Sequence, residues 1–161
     1  MSFAPVYNAE SRVLILGTFP SPASRSAGFY YGHPQNRFWR LMAAVLNCTC
    51  PVTVEEKRRM LLDHQIALWD VLLDCDIQGA ADASIKNGVP NDLPQLLKKC
   101  DIQAIFANGG TAARLYETYW GGKIERPFYR MPSTSPANAA YRLDRLYGHW
   151  AVLRDRIGEH K

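Results

Sequence analysis

Short apolar runs alternate with helical patterns along the chain. Apolar runs bounded by turn residues are typical of buried strands, and they predict strands at residues 12–17, 66–72 and 102–110. A fourth strand is predicted at the start of segment 126–136, which then runs into a loop rich in Ser and Pro. Apolar residues spaced three and four apart predict helices, at residues 35–47, 53–65, 92–100, 111–120 and 137–157. This alternation indicates a mostly parallel sheet with helices on both faces.

Three segments that could take part in binding or catalysis follow predicted strands directly. They are "GTFPSPAS" at 17–24, "ANGG" at 107–110 and "MPSTSPAN" at 131–138. Open parallel sheets bind ligands beyond the carboxyl ends of their strands, so these segments are expected to form one site. Residues 18–34 are dense in Pro, Ser, Gly and aromatics, which predicts a long ordered loop of functional importance.

The composition fits one folded domain with a moderate positive charge. The 161 residues are 47% hydrophobic and 21% charged, with a net charge of +4. This charge is compatible with a polyanionic partner, but most arginines near the end of the chain are expected to solvate a helix face. No run approaches the roughly 20 apolar residues of a membrane helix. The first residues lack the pattern of a secretory signal, so the expected location is cytoplasmic.

The four cysteines do not indicate a metal site. Only Cys48 and Cys50 are close in sequence, while Cys75 and Cys100 each stand alone. Structural zinc and iron–sulfur sites favour close pairs with wider spacing than this. Reduced, mostly buried thiols are therefore expected.

The predicted site lacks the residues of several common chemistries. No G-x-S-x-G, Walker or G-x-G-x-x-G motif is present, and His33 is the single histidine of the long loop. A structural hydrogen-bonding role is favoured for it. Segments 17–36 and 131–138 contain no Asp or Glu, which argues against a metal-dependent phosphodiesterase. The predicted site instead contains Ser, Thr, Asn, Arg, aromatic residues and backbone amides. This composition suits a polyanionic ligand that carries a planar group, as in proteins that hold flipped bases.

Two motifs carry a resemblance to a known family. "LILGTFPSPASRSAGFYYGHPQNRFW" and "MPSTSPANAA" resemble the signature motifs of the uracil-DNA glycosylase superfamily, and are most similar to its sixth family, the hypoxanthine-DNA (deoxyinosine) glycosylases. The segment 28–39 also resembles the H-P-x-N-R-F-W motif of the mismatch-specific uracil/thymine glycosylases. The resemblance covers the whole chain in motif order.

This resemblance implies a fold, a reaction and a partner. The fold is a three-layer α/β/α domain over residues 1–161 with a central four-stranded parallel sheet. The reaction is cleavage of an N-glycosidic bond in DNA that contains deaminated bases, as a step of base excision repair. Water is the nucleophile, no cofactor or metal takes part, and a monomer is expected.

The resemblance also implies roles for individual residues. Mismatch-specific relatives carry a water-positioning Asn where this chain has Phe19, and the sixth family assigns the catalytic role to the position of Asn36, expected in the first turn of a helix. Tyr31 matches the aromatic that stacks on the extruded base. The remaining base-binding candidates are Gly17, Thr18, Phe19 and Asn108. The DNA-binding candidates are Ser133, Thr134, Ser135, Pro136, Asn138, Arg25 and Arg37.

Several alternatives stay open at this point. Asn108 is nearly as well explained as a cap of the following helix as by a contact with the base. The same two alternatives are open for Asn138. Arg37 could be a packed salt-bridge partner. Phe38 and Trp39 are expected in the core, while Phe29 and Tyr30 are undecided. Rival functions are a mismatch-specific uracil glycosylase, a non-catalytic DNA-binding member of the fold and, more weakly, a nucleoside hydrolase.

Overall fold

A four-stranded parallel sheet forms the centre of the computed structural model, which describes residues 3–76 and 85–157. The strands, in chain order, are β1 (Val13–Gly17), β2 (Ile66–Asp70), β3 (Leu72–Asp76), β4 (Lys86–Pro90), β5 (Ala104–Asn108) and β6 (Phe128–Met131). The central sheet has the order β2-β1-β5-β6, and each neighbouring pair is parallel. The carboxyl ends of these four strands therefore lie at one edge, as the sequence predicted.

Helices cover both faces of this sheet. They are α1 (Pro22–Ala27), α2 (Phe38–Leu46), α3 (Val54–Asp63), α4 (Leu93–Leu97), α5 (Gly110–Trp120), α6 (Leu143–Trp150) and α7 (Leu153–Ile157). Val13 and Ile15 of β1 pack in one apolar cluster with α2, α3, α6 and α7. Leu14 and Leu16 pack on the other face with α4 and α5. Every residue of β1 is buried, which explains its continuous apolar sequence. The predicted three-layer α/β/α architecture is confirmed.

A two-stranded antiparallel sheet was not predicted. β3 and β4 pair with each other and not with the central sheet, so the predicted strand 66–72 is divided after Asp70. Both strands of the small sheet are largely exposed, and their mixed polar sequence offers no alternating apolar face to detect. Residues 77–84 lie outside the described parts of the chain.

The boundaries of two further predictions were wrong. The predicted loop 18–34 contains helix α1, which is capped by the Ser21 side chain, begins with Pro22 and ends at Gly28 with φ +79°. A Ser N-cap followed by Pro is a helix-start signal, but the surrounding Ser, Pro and Gly residues obscured it. The predicted helix 137–157 is two short helices, α6 and α7, and residues 137–142 are not helical.

Candidate active site

A cavity of about 410 Å³ opens at the carboxyl edge of the central sheet. It lies among the loops that follow β1, β2, β5 and β6. Most of the residues predicted from the motifs line it: Gly17, Thr18, Phe19, Tyr31, Asn36, Asn108, Ser133, Thr134, Ser135 and Pro136. Ligand pockets commonly have volumes of about 300–1,000 Å³, so the cavity has room for a nucleobase and part of its sugar.

Asn36 is held in a fixed orientation at this cavity. It lies two residues before α2 begins, and not in the first turn of the helix as predicted. Its Oδ1 accepts hydrogen bonds from the backbone N–H of Phe38 at 2.9 Å and from the Thr134 hydroxyl at 2.8 Å. A backbone N–H can only donate, so the bond from Phe38 identifies which end of the amide is the oxygen.

Thr134 joins Asn36 to the end of β5. It is fully buried, and its N–H donates to Asn108 Oδ1 at 3.1 Å. The Asn108 Nδ2 donates in turn to Thr134 Oγ1, also at 3.1 Å. The side chain of Asn108 therefore does not cap α5, whose N-cap is Gly109, and that alternative is wrong. The buried hydroxyl of Thr134 is bonded to Asn36 and Asn108, and its contact with DNA stays a prediction.

These bonds change how Asn36 can hold a water molecule. An amide oxygen has two lone pairs, and both donors to Asn36 Oδ1 are protein groups. A water that donates to this oxygen must replace the Thr134 hydroxyl proton. A hydroxyl proton rotates freely about its C–O bond, so Thr134 can turn its proton toward the incoming water.

Arg37 is a structural link between the two motifs. Its guanidinium donates to the backbone carbonyl oxygens of Ser135 at 2.7 Å and Asn138 at 3.2 Å. Its Nε donates to the carbonyl of Thr134 at 3.2 Å, and Nη1 donates to that of Tyr141. Five rigid N–H donors suit this task. The structure therefore gives Arg37 backbone carbonyls as partners instead of a carboxylate, and its contact with a DNA phosphate stays a prediction.

The aromatic residues of segment 28–39 divide between core and cavity. Phe29, Tyr30, Phe38 and Trp39 are all buried in the core, which confirms the prediction for the last two, and Tyr30 also lines the cavity. Tyr31 lines the cavity and stacks on Phe38, with ring centroids 4.2 Å apart. Its φ of +55° is uncommon for a bulky residue.

Asp70 is a site residue that the sequence interpretation missed. It lines the cavity at the end of β2, directly opposite Gly17 in the strand register, and only 3% of it is exposed. Burial raises the pKa of its carboxyl to about 7. The expectation of a site without carboxylates is thus wrong, because it considered only the two motif loops. An Asp at the end of a buried apolar run, as in "IALWD", is the sequence signal that could have identified Asp70.

Backbone groups fix the side chains of Ser133 and Ser135, whereas Asn138 and Arg25 lie outside the cavity. The Ser135 N–H donates to Ser133 Oγ at 3.0 Å, and the Ala137 N–H donates to Ser135 Oγ at 3.2 Å. Asn138 does not line the cavity, and its Nδ2 donates to the carbonyl oxygen of Ser133 at 3.0 Å. The exposed Arg25 also lies outside it, with its guanidinium 5.7 Å from the centre of the Phe19 ring.

His33 is at the cavity rim, where its Nδ1 accepts from the Gln35 N–H at 3.0 Å. Within residues 3–76 and 85–157, no group of three or more His, Cys, Asp or Glu side chains could hold a metal ion. In the same part of the chain, no helix is both long and apolar enough to cross a membrane.

Fold and site together define a three-layer α/β protein with a polar, aromatic-walled cavity at the carboxyl edge of its sheet. The family model described as "Uracil DNA glycosylase superfamily" matches residues 4–154. The chain belongs to this superfamily.

Named relatives and a solved structure agree with this membership. A protein of Methanosarcina acetivorans named "Hypoxanthine DNA glycosylase" is 31% identical over 153 residues, which cover 94% of this chain and 96% of the relative. A protein of the same name from Methanosarcina barkeri is 34% identical over 109 residues, 66% of this chain and 69% of the relative. The solution NMR structure of a Methanosarcina acetivorans protein, described as a candidate uracil DNA glycosylase, has a TM-score of 0.84 at 29% identity and covers 98% of this chain and 97% of its own.

Proposed function

We propose that the protein is a monofunctional DNA glycosylase that flips hypoxanthine out of DNA and hydrolyses its N-glycosidic bond. The product is an abasic site for base excision repair. The observation that carries the proposal is the fixed amide of Asn36 at a cavity that also contains Tyr31 and Asn108. The two Methanosarcina relatives named hypoxanthine DNA glycosylase support the choice of base.

The cavity offers both a face and an edge to a flipped base. The ring of Tyr31 provides an aromatic wall, and extruded bases are commonly held by stacking on such groups. Asn108 uses Oδ1 and one of its Nδ2 hydrogens on Thr134. An amide NH2 has two hydrogens, so the second can donate to the nearby Tyr31 hydroxyl or, with a base bound, to an acceptor such as the O6 of hypoxanthine.

Hydrolysis requires a water molecule placed against C1′ of the deoxyribose. The amide of Asn36 is not basic at neutral pH, so it acts by holding and orienting this water, which is a proximity effect. The water oxygen bonds to C1′ while the electron pair of the C1′–N9 bond leaves with the base. The attacking water gives up one proton to solvent and the departing base takes one up, so the overall change is the addition of one water.

The loop after β6 is suited to hold the DNA backbone near the sugar. The hydroxyls of Ser133 and Ser135 each accept a backbone N–H, and each keeps its own proton for a phosphate oxygen. Phosphates held close to the sugar stabilise its oxocarbenium character in the transition state. We therefore propose that Ser133, Ser135 and the adjoining Pro136 form the DNA side of the cavity.

The direct test is a panel of DNA duplexes that contain inosine, uracil, xanthine or mismatched thymine. Alkali reveals abasic sites as strand breaks, and the Asn36→Ala protein prepared in the same way controls for contaminating glycosylases. Cleavage at inosine by the wild-type protein is the expected result. Cleavage confined to uracil or thymine opposite guanine favours the mismatch-specific alternative, which the segment Gly28–Trp39 resembles. DNA binding without any strand break favours a non-catalytic member of the fold.

We also propose that the protein works as a monomer in the cytoplasm and without a metal ion. Within the described ranges, none of the residues that line the cavity belongs to a candidate metal cluster. Cleavage should persist in excess EDTA, and the active species should elute at the mass of one chain. DNA affinity should fall linearly on a log–log plot with added salt, as expected for phosphate contacts.

A further inference from the structure

Two buried oxygen atoms without hydrogen-bond partners belong to residues that line the cavity. They are Oδ2 of Asp70 and the hydroxyl of Tyr31, and within residues 3–76 and 85–157 no partner for either is found. Burying a polar group without a partner is costly. Such groups at the base of an open cavity are typical of atoms that bind a ligand.

Gly17 is the reason that these two side chains approach each other. A Cβ atom at Gly17 would lie 2.5 Å from Asp70 Oδ1 and 2.8 Å from the Tyr31 hydroxyl oxygen. Contacts that short do not occur in real structures. The missing side chain therefore leaves room for Asp70 Oδ1 and the Tyr31 hydroxyl at the ends of β1 and β2.

The surroundings of Asp70 favour its neutral form. The titratable groups that face it are the phenols of Tyr30 and Tyr31, with His33 at the cavity rim. The other packed elements, namely β1, the end of β5 and the loop after β6, contribute Gly17, Asn108 and residues 133–136, which carry no charge. Among the described residues that line the cavity, none is Lys or Arg. Burial without a facing cation raises the pKa of Asp70 to about 7.

We propose that Asp70, in its neutral form, donates a hydrogen bond from the floor of the cavity to the extruded base and stabilises the negative charge that the base acquires as it leaves. A carboxylic acid has one O–H donor, whereas a carboxylate can only accept. Ionised Asp70 would also repel the departing base, which carries away the electron pair of the glycosidic bond. This inference rests on the proposed glycosylase activity and adds a catalytic residue to it.

The dependence of cleavage on pH tests the proposal with an isosteric control. Single-turnover cleavage of an inosine duplex is measured for the wild-type protein, Asp70→Asn and Asp70→Ala from about pH 5.5 to about pH 9. The wild-type rate should fall above about pH 7, by roughly tenfold per pH unit, because only the neutral acid is active. Asp70→Asn keeps an N–H donor that does not ionise, so its rate should lack this alkaline fall. Asp70→Ala has no donor and should be slow at every pH.

Two results would overturn the inference. The first is an Asp70→Asn protein whose rate falls at high pH like that of the wild type. The second is a carboxyl carbon-13 NMR titration of the free wild-type protein in which Asp70 has an ordinary midpoint near pH 4. The NMR titration does not depend on activity. If the wild-type protein cleaves inosine duplexes but Asp70 has a normal titration midpoint, only the role of Asp70 is overturned. If the wild-type protein cleaves no duplex at any pH, the proposed function itself is overturned.

Discussion

The hydroxyl of Thr134 donates a 2.8 Å hydrogen bond to Oδ1 of Asn36, across 98 positions of sequence. This contact joins the two motifs at the cavity. Arg37 reinforces the junction by donating to the backbone carbonyls of the loop that contains Thr134. The position of the Asn36 amide therefore depends on the loop after β6 as much as on its own segment.

Replacing Asn36 with Ala should abolish most of the chemistry. Loss of a positioned catalytic group typically lowers the rate by about 10²-fold or more, and we expect this loss in single-turnover cleavage of an inosine duplex. Because Asn36 Oδ1 also accepts the Phe38 N–H at the start of α2, the free energy of unfolding should fall by about 1 kcal/mol. DNA binding should be retained. A variant that is destabilised by this amount yet fully active would transfer the catalytic role to another residue, with Asn108 as the first candidate.

Thr134→Val should slow cleavage through its effect on Asn36, because the Thr134 side chain is fully buried. The substitution removes the hydroxyl that orients Asn36 and leaves Asn108 Nδ2 without its acceptor. An unsatisfied buried donor costs about 1–3 kcal/mol, which urea denaturation would detect. Thr134→Ser keeps the hydroxyl and is the matched control, with activity and stability expected near those of the wild type. Equal cleavage by the Val and Ser variants would show that the contact with Asn36 has no catalytic role.

Two substitutions separate the contribution of the Tyr31 ring from that of its hydroxyl. Tyr31→Ala removes the aromatic wall and should weaken binding of DNA with an extruded base by about 1–3 kcal/mol, the range for base–aromatic stacking. Tyr31→Phe keeps the ring and its stacking on Phe38, and it removes a buried hydroxyl without a partner. The Phe variant should therefore be at least as stable as the wild type in thermal melts. If both variants bind and cleave like the wild type, Tyr31 does not contact the base.

Local patterns in the sequence were sufficient for the central sheet and for most of the cavity. The apolar runs at Val13–Gly17 and Ala104–Asn108 are buried throughout, so their sequences alone indicate strands. The side-chain partners could not be predicted, because they join distant segments. The bonds of Arg37 with the loop after β6 and the approach of Asp70 to Tyr31 depend on strand order and register, which the sequence pattern does not specify.

The buried position of Asp70 predicts a dependence of stability on pH. The pKa of its carboxyl is about 7 in the folded protein against an ordinary value of 3.8, so between these values the folded state holds the proton more tightly than the unfolded state. The contribution of Asp70 to stability should therefore fall as pH rises from about 4 to about 7 and stay constant above about pH 7. A shift of this size corresponds to on the order of 4 kcal/mol.

Asp70→Asn removes this ionisation and keeps the shape of the side chain. Relative to the wild type, the free energy of unfolding of the Asn variant should increase progressively as pH rises from about 4.5 to about 7.5, as measured by urea denaturation at a series of pH values. A difference between Asp70→Asn and the wild type that stays constant with pH would mean that Asp70 is ionised in the folded protein. In that case it could not donate a hydrogen bond to the base.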